Sequence, residues 1–282
     1  MARRPTDGEW ATLRSWFPNL PRDSVWVLGG ATTRYNCLAW ALGRTDRWIW
    51  PWSGLPTLAQ FTAYLRNFGY ATGTPAAAAA YGKAAGSTYA IGHIARFWVG
   101  APSSKLGSYL LIHHTWGGLN GGTYGSLRQY YRRVSLLQER AEPMEDIEVQ
   151  VEEGEPLPEL SDDEMSYLRS LADSVEADAK ARFEDAYGRW KAALLEPPVL
   201  LDSTGVSATM VQSFHETVVA AQDAVPLLLL RLLEPDEHFA LRIAEQILPP
   251  GAVALFELDD PQTTEGEQYR ARLTVLSWLS MQ

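Results

Sequence analysis

One cysteine, Cys37, stands between Asn36 and a short apolar run, Leu38-Ala39-Trp40-Ala41-Leu42, that Gly43 ends. The pattern predicts a buried helix that starts at the thiol, with Gly43 as its C-cap. A thiol on the first turn of a helix has its thiolate stabilised by the helix N-terminus. Its backbone N–H points to where an oxyanion would form, and Asn36 offers a second donor. The alternative is a small, inert core residue. His93 lies 56 residues downstream, after Gly92, in a stretch rich in β-branched and aromatic residues. A base on a strand that faces a thiol on a helix is what cysteine acyl transfer requires. A returning strand carries Ser103, Ser104 and Lys105, and Ser104 is the candidate to orient the imidazole. The expected catalytic set is Cys37, His93, Ser104 and Asn36. Trp48, Trp50, Lys105 and His114 are the expected substrate-binding residues.

His113 and His114 are neighbours, so on a strand they point to opposite faces and at most one reaches a given site. No cluster of His, Cys or Asp at ligand spacing accompanies them, so neither a metal nor a cofactor is expected. A lone cysteine also rules out an intramolecular disulfide and a multi-cysteine zinc site.

The elements that must position these residues divide by composition. The chain has 282 residues, enough for two domains of about 100–150 residues each. Up to Gln138 there are 14 Lys and Arg against 4 Asp and Glu; from Glu139 the balance reverses to 10 against 30. Nine of the eleven tryptophans lie in the first part. Residues 139–160 are acidic and proline-containing, which predicts a solvated linker, with room for an edge strand through Ile147, Val149 and Val151. The expected domains are therefore 1–138, a linker over 139–160, and 161–282. The charge asymmetry has two readings: the acidic half docks against the basic half, or the basic half meets an anionic partner.

In the first part, helices are expected near 8–17 and 57–68, and strands near 25–28, 87–99 and 103–107. The Ala/Gly-rich stretch 70–85 fits either a helix or a loop. Arg128, Arg132 and Arg133 lie among Tyr124, Tyr130 and Tyr131, a combination that can stack and neutralise single-stranded nucleic acid. A solvated basic face beside the acidic linker explains it more simply, so nucleic acid is not an expected partner. The last part is helical. A capping box at Ser161–Glu164 opens a helix expected to run to Leu195, where Pro197-Pro198 ends it. Further helices are expected over 207–233, with Pro226 kinking or dividing it, 235–248 and 269–279; 252–258 is a strand or short helix. Paired helices of this size resemble a short HEAT-like solenoid.

The run Tyr35-Asn36-Cys37-Leu38-Ala39-Trp40-Ala41-Leu42-Gly43, followed by Arg47-Trp48-Ile49-Trp50-Pro51, resembles an uncharacterised bacterial family with the signature Y-N-C-[IL]-A-W-A-x-G and a following aromatic R-W-x-W-P run. Later segments agree in order and spacing: His93-Ile94-Ala95-Arg96, Ser104-Lys105-Leu106-Gly107, and Tyr124-Gly125 ahead of Arg132-Arg133. The resemblance covers about residues 15–134. It departs at Ile94 and in a longer Gly-rich insertion around 107–123. It implies a papain-like domain with Cys37 and His93 as its dyad, and a toxin or defence setting. The second half resembles small helical bacterial proteins more loosely and implies no chemistry.

Together these readings predict an α+β protein: a papain-like N-terminal domain, an acidic linker and a mostly α-helical, HEAT-like C-terminal domain. The expected activity is a cysteine hydrolase or acyl transferase acting on a peptide, isopeptide or glutamine side-chain amide of a protein or peptide substrate. The alternative is an inactive papain-like scaffold that serves as a protein-interaction module. The helical domain would select substrate or dock a partner protein. No run of about 18 apolar residues spans a membrane, and the N-terminus lacks the apolar core of a signal peptide. The cytoplasm is the expected compartment, and delivery into another cell would leave no trace in this sequence.

Overall fold

The computed structural model describes residues 2–134, 156–196, 199–202, 204–256 and 261–282. Most of the expected linker, with its edge strand at Ile147–Val151, lies outside them, as do Pro197-Pro198 and part of 252–258. Strands fill the first half and helices the second, an α+β arrangement. The chain forms two units. One holds Met1–Asp46 and Trp52–Glu153; the other holds Arg47–Pro51 and Gly154–Gln282.

The first unit contains α1 (Asp7–Trp16), β1 (Trp26–Gly29), α2 (Cys37–Ala41), α3 (Leu58–Arg66), β2 (Tyr70–Thr72), β3 (Ala78–Ala85), β4 (Thr88–Trp98), β5 (Ala101–Lys105), β6 (Leu111–His113) and β7 (Ser126–Arg133). Local chemistry starts the helices. Thr6 with Glu9 and Thr57 with Gln60 close capping boxes on α1 and α3. The Asn36 side chain caps α2 by accepting from the Ala39 N–H at 3.0 Å.

The strands make one antiparallel sheet in the order β1-β6-β5-β4-β3-β7-β2. The stretch 70–85, readable as helix or loop, supplies two of its strands. Ala78, Ala79 and Ala80 are fully buried between β4 and β7. Alanine favours helix, but here small side chains let a central strand be covered on both faces, and tertiary packing overrides propensity. At Gly82 an added Cβ would sit 2.5 Å from the Ala90 carbonyl oxygen, so only glycine fits the bulge there.

The two faces of this sheet have different covers. On one face Arg96 and Ser103, which are register partners, meet α2. The Trp40 indole N–H donates to Ser103 Oγ at 3.0 Å, and Arg96 Nη1 donates to the Trp40 carbonyl at 3.0 Å. The α3 residue Thr62 shares a 2.8 Å hydroxyl–hydroxyl hydrogen bond with Tyr131, on the same face. On the other face His93 and Phe97 meet the loop after β6 and the segment after α1. Phe97 stacks on Trp116 with ring centroids 6.4 Å apart, and Phe17 packs on Tyr124 at 5.3 Å.

The second unit contains α4 (Asp162–Asp173), α5 (Ala177–Leu194), α6 (Val206–Thr209), α7 (Gln212–Ala221), α8 (Val225–Leu232), α9 (Leu241–Ile247) and α10 (Gly266–Leu279). The helix expected from Ser161 to Leu195 is two, parted at Ser174–Glu176. Pro226 lies in the first turn of α8, where the missing N–H would have had no partner, so it begins a helix and kinks none. The core includes Phe183, Trp190, Leu228, Leu241 and Val275.

Trp48 belongs to this second unit. It is 1% exposed and packs edge-on against Phe239 and tilted against His238, at 4.9 and 5.4 Å between centroids. Its backbone N–H donates to Gln268 Oε1 at 2.8 Å and its carbonyl accepts from the Glu267 N–H at 2.9 Å. Arg47 forms an ion pair with Glu265. Gly266, at φ +79°, makes the approach possible, since a Cβ there would lie 2.8 Å from the Trp48 carbonyl. The expectation that Trp48 and Trp50 bind substrate is therefore corrected. Both are buried in the unit, and neither offers a wall to a ligand.

Candidate functional site

Two polar clusters sit on the sheet of the first unit, one on each face. The register decides their membership. Residues 93–96 of β4 pair without interruption with Tyr81–Ala78 of β3, so successive side chains alternate strictly. Arg96 points to the α2 face. His93, three residues earlier, points to the other.

The cluster opposite α2 is a hydrogen-bonded chain. His93 Nε2 lies 2.9 Å from Ser104 Oγ, and Ser104 Oγ lies 2.8 Å from His114 Nε2. His114 Nδ1 lies 2.7 Å from the Thr115 carbonyl, which can only accept. The proton on His114 is thus on Nδ1. Burial holds the His114 pKa down to about 4, with the Thr115 carbonyl opposing and His113 adding to the fall, so the ring is neutral at pH 7. Its Nε2 accepts the Ser104 hydroxyl proton, and Ser104 Oγ accepts from His93 Nε2–H. This leaves His93 Nδ1 bare. It is buried and has no hydrogen-bond partner among the described residues. Tyr124 stacks flat on the imidazole, 3.9 Å and 5° away. Burial, then the neighbouring His114, lowers the His93 pKa well below its usual 6.5.

The cluster on the α2 face centres on Lys105. Its Nζ donates to the carbonyls of Thr32 at 3.0 Å, Gly107 at 2.7 Å and Tyr109 at 2.7 Å, and lies 5.4 Å from the Tyr35 ring centroid. Three acceptors match the three N–H bonds of an ammonium, so the protonated form is the one this cage fits. Burial pushes the Lys105 pKa down to about 7, and the Cys37 side chain pulls it up. Cys37 is fully buried.

The structure brings together His93, Ser104 and His114, and it brings Cys37 within the electrostatic reach of Lys105. It does not bring Cys37 to His93. The thiol is on a helix packed against one face, and the imidazole points out of the other. The expected dyad is corrected on that ground. Asn36 caps its own helix with its carboxamide oxygen and is buried, so the expected oxyanion donor has a local task. Lys105 and His114, expected to bind substrate, are filled by internal partners. The Tyr124 stack, the His114 end of the chain and the Lys105 cage were missed from sequence. The His113-His114 pair was the available signal, because alternation assigns the two residues to different faces.

Residues 26–132 match a family model described as a domain of unknown function, DUF7689. No curated protein and no solved structure matches the chain. The match spans both polar clusters and ends within β7. Among the described residues no group of three or more His, Cys, Asp or Glu side chains is placed to hold a metal, and no helix is long and apolar enough to cross a membrane.

The buried histidines set a pH dependence. Where the folded pKa lies below the unfolded value, the unfolded chain binds more protons, and stability falls as pH drops through that interval. For His114 the interval runs from 6.5 to about 4. The full interval corresponds to about 3 kcal/mol at one pKa unit per ~1.4 kcal/mol. The thermal midpoint of the first unit should drop between pH 7 and pH 4.5, and by less in His114→Gln. Equal drops in the two proteins would show that His114 is not the source.

Proposed function

We propose that the first unit is a non-catalytic protein-interaction module, a papain-like scaffold whose cysteine and histidine no longer cooperate. The observation that carries this reading is the placement of Cys37 and His93 on opposite faces of one sheet. Proton transfer from thiol to imidazole needs hydrogen-bond reach. A side-chain shift cannot supply it, because the sheet backbone lies between them. Full burial of Cys37, His93 and Ser104 supports the same reading. The helical unit, a short HEAT-like array, acts as an adaptor for a partner protein, and a reducing cytoplasm suits a thiol that is in no disulfide.

Thiol labelling tests the proposal. With a small iodoacetamide-type reagent at pH 7.5, native Cys37 should react only as fast as the protein opens, at least about a hundredfold slower than in denaturant. A second reading keeps cysteine chemistry and rests on the Lys105 ammonium, whose charge favours a thiolate at Cys37. It predicts the reverse: native labelling faster than that of the unfolded chain, and slowed by Lys105→Met. That result would sink the interaction-module reading.

A further inference from the structure

The helical unit holds one segment that comes from far up the chain, Arg47–Pro51, whose Trp48 meets Gln268 across 220 positions. The contact has the parts of a peptide-recognition site, in which backbone hydrogen bonds give affinity and side-chain seats give specificity. The Trp48 indole lies against His238 and Phe239. Its backbone N–H donates to Gln268 Oε1, and its carbonyl accepts from the Glu267 N–H. Arg47, 4% exposed, pairs with the Glu265 carboxylate and donates to the Glu265 carbonyl at 3.1 Å. Trp and Arg in desolvated seats are the residue types that dominate binding energy at protein interfaces.

The helices of the unit leave this seat for a guest. The first N–H groups of a helix have no partner within it. At α10 the N-cap residue is Glu265, whose side chain makes no capping hydrogen bond among the described residues. That carboxylate turns to Arg47, and a first-turn N–H, that of Glu267, is satisfied by the Trp48 carbonyl. Gly266, at φ +79°, leaves room for the guest backbone, since a Cβ there would also lie 3.0 Å from Arg47 Cβ. Charge favours a basic guest: Gly154–Gln282 hold 9 Lys and Arg against 23 Asp and Glu. The neighbouring Glu245 and Glu267 are paired with Arg242 and Arg270, which leaves Glu265 to a guest cation.

We propose that this seat is a recognition site for an Arg-Trp segment of a partner protein, occupied in this structure by the chain's own Arg47–Pro51. The proposal rests on the reading of the helical unit as an adaptor and names the chemistry that its partner presents. Trp48 is the guest in this site and not its wall. The tethered segment competes at an effective concentration on the order of millimolar, so the partner gains the site when that segment is displaced.

The test is fluorescence anisotropy of the full chain with a labelled synthetic peptide carrying the sequence of residues 45–52, at about 150 mM salt. Trp48→Ala, which empties the indole seat, should bind the peptide at least about tenfold tighter than the parent chain does. Adding Glu265→Lys should weaken that binding about tenfold, and a peptide with glutamate in place of its arginine should recover it. Circular dichroism checks the fold of each variant. Arg47→Glu, which sets two carboxylates against each other, takes the place of Trp48→Ala if the latter does not fold. Binding no tighter than that of the parent chain would overturn the proposal. So would equal binding of a peptide with alanine for the arginine and the tryptophan after it. A parent chain that light scattering shows as a dimer, and that Glu265→Lys makes a monomer, would assign the seat to a second copy and overturn it too. None of these outcomes touches the labelling of Cys37, so this proposal and the interaction-module reading fail separately.

Discussion

Replacing Lys105 with methionine should destabilise the first unit by about 3 kcal/mol or more, measured by denaturant unfolding. The apolar stem of the side chain would keep its packing. The ammonium would be lost, and with it the donor to three carbonyls at 2.7–3.0 Å. The Gly107 carbonyl is buried and those of Thr32 and Tyr109 are half-buried, and a buried acceptor stripped of its donor forfeits its desolvation cost. Lys105→Arg should rescue little, because a planar fork does not address three carbonyls arranged around a tetrahedral nitrogen. A cost below about 1 kcal/mol would mean that water replaces the ammonium and that the cage is not what holds this corner together. The same substitution removes the cation nearest Cys37 in charge terms, so the thiol pKa should rise in any state where the thiol can be titrated.

Trp48→Ala should cost the second unit about 4 kcal/mol, the range for a buried large aromatic replaced by alanine. The indole is 1% exposed and sits against His238 and Phe239. Truncation would remove both ring contacts and open a cavity beside Gln268. Hydrogen exchange is the informative readout, since it reports each element separately. Amides of α9 and α10 should lose protection, while those of β4 should keep theirs. Loss confined to the strands of the first unit would contradict the assignment of Arg47–Pro51 to the helical unit. Trp48→Phe should retain part of the stability, because a smaller ring still fills much of the space.

Much of the local structure could be read directly. Ser161 with Glu164 is a capping box in sequence and in space. Asn36 marks the start of α2, and the β-branched and aromatic stretch around Ile91–Trp98 is the strand β4. Those features depend on neighbours within a few residues. The Ala-rich stretch could not be read, because a strand of alanines is stable only when both of its neighbours are already beside it.

The candidate site divides along the same line. Residue types alone identified a thiol at a helix start, an imidazole on a strand and a hydroxyl two strands' turn away, and they determined that His113 and His114 part company. What they left open was which face of the sheet α2 covers. That choice depends on Trp40 finding Ser103 and Arg96, contacts 63 and 56 residues distant in the chain. Because strand side chains alternate with a period of two, the choice carries every other residue with it. Once α2 lies on the Arg96 face, His93 must look the other way, toward Ser104, His114 and Tyr124. The sequence by itself determined an α+β chain with a capped cysteine helix and a strand-borne histidine; the tertiary structure alone decided that a sheet stands between them.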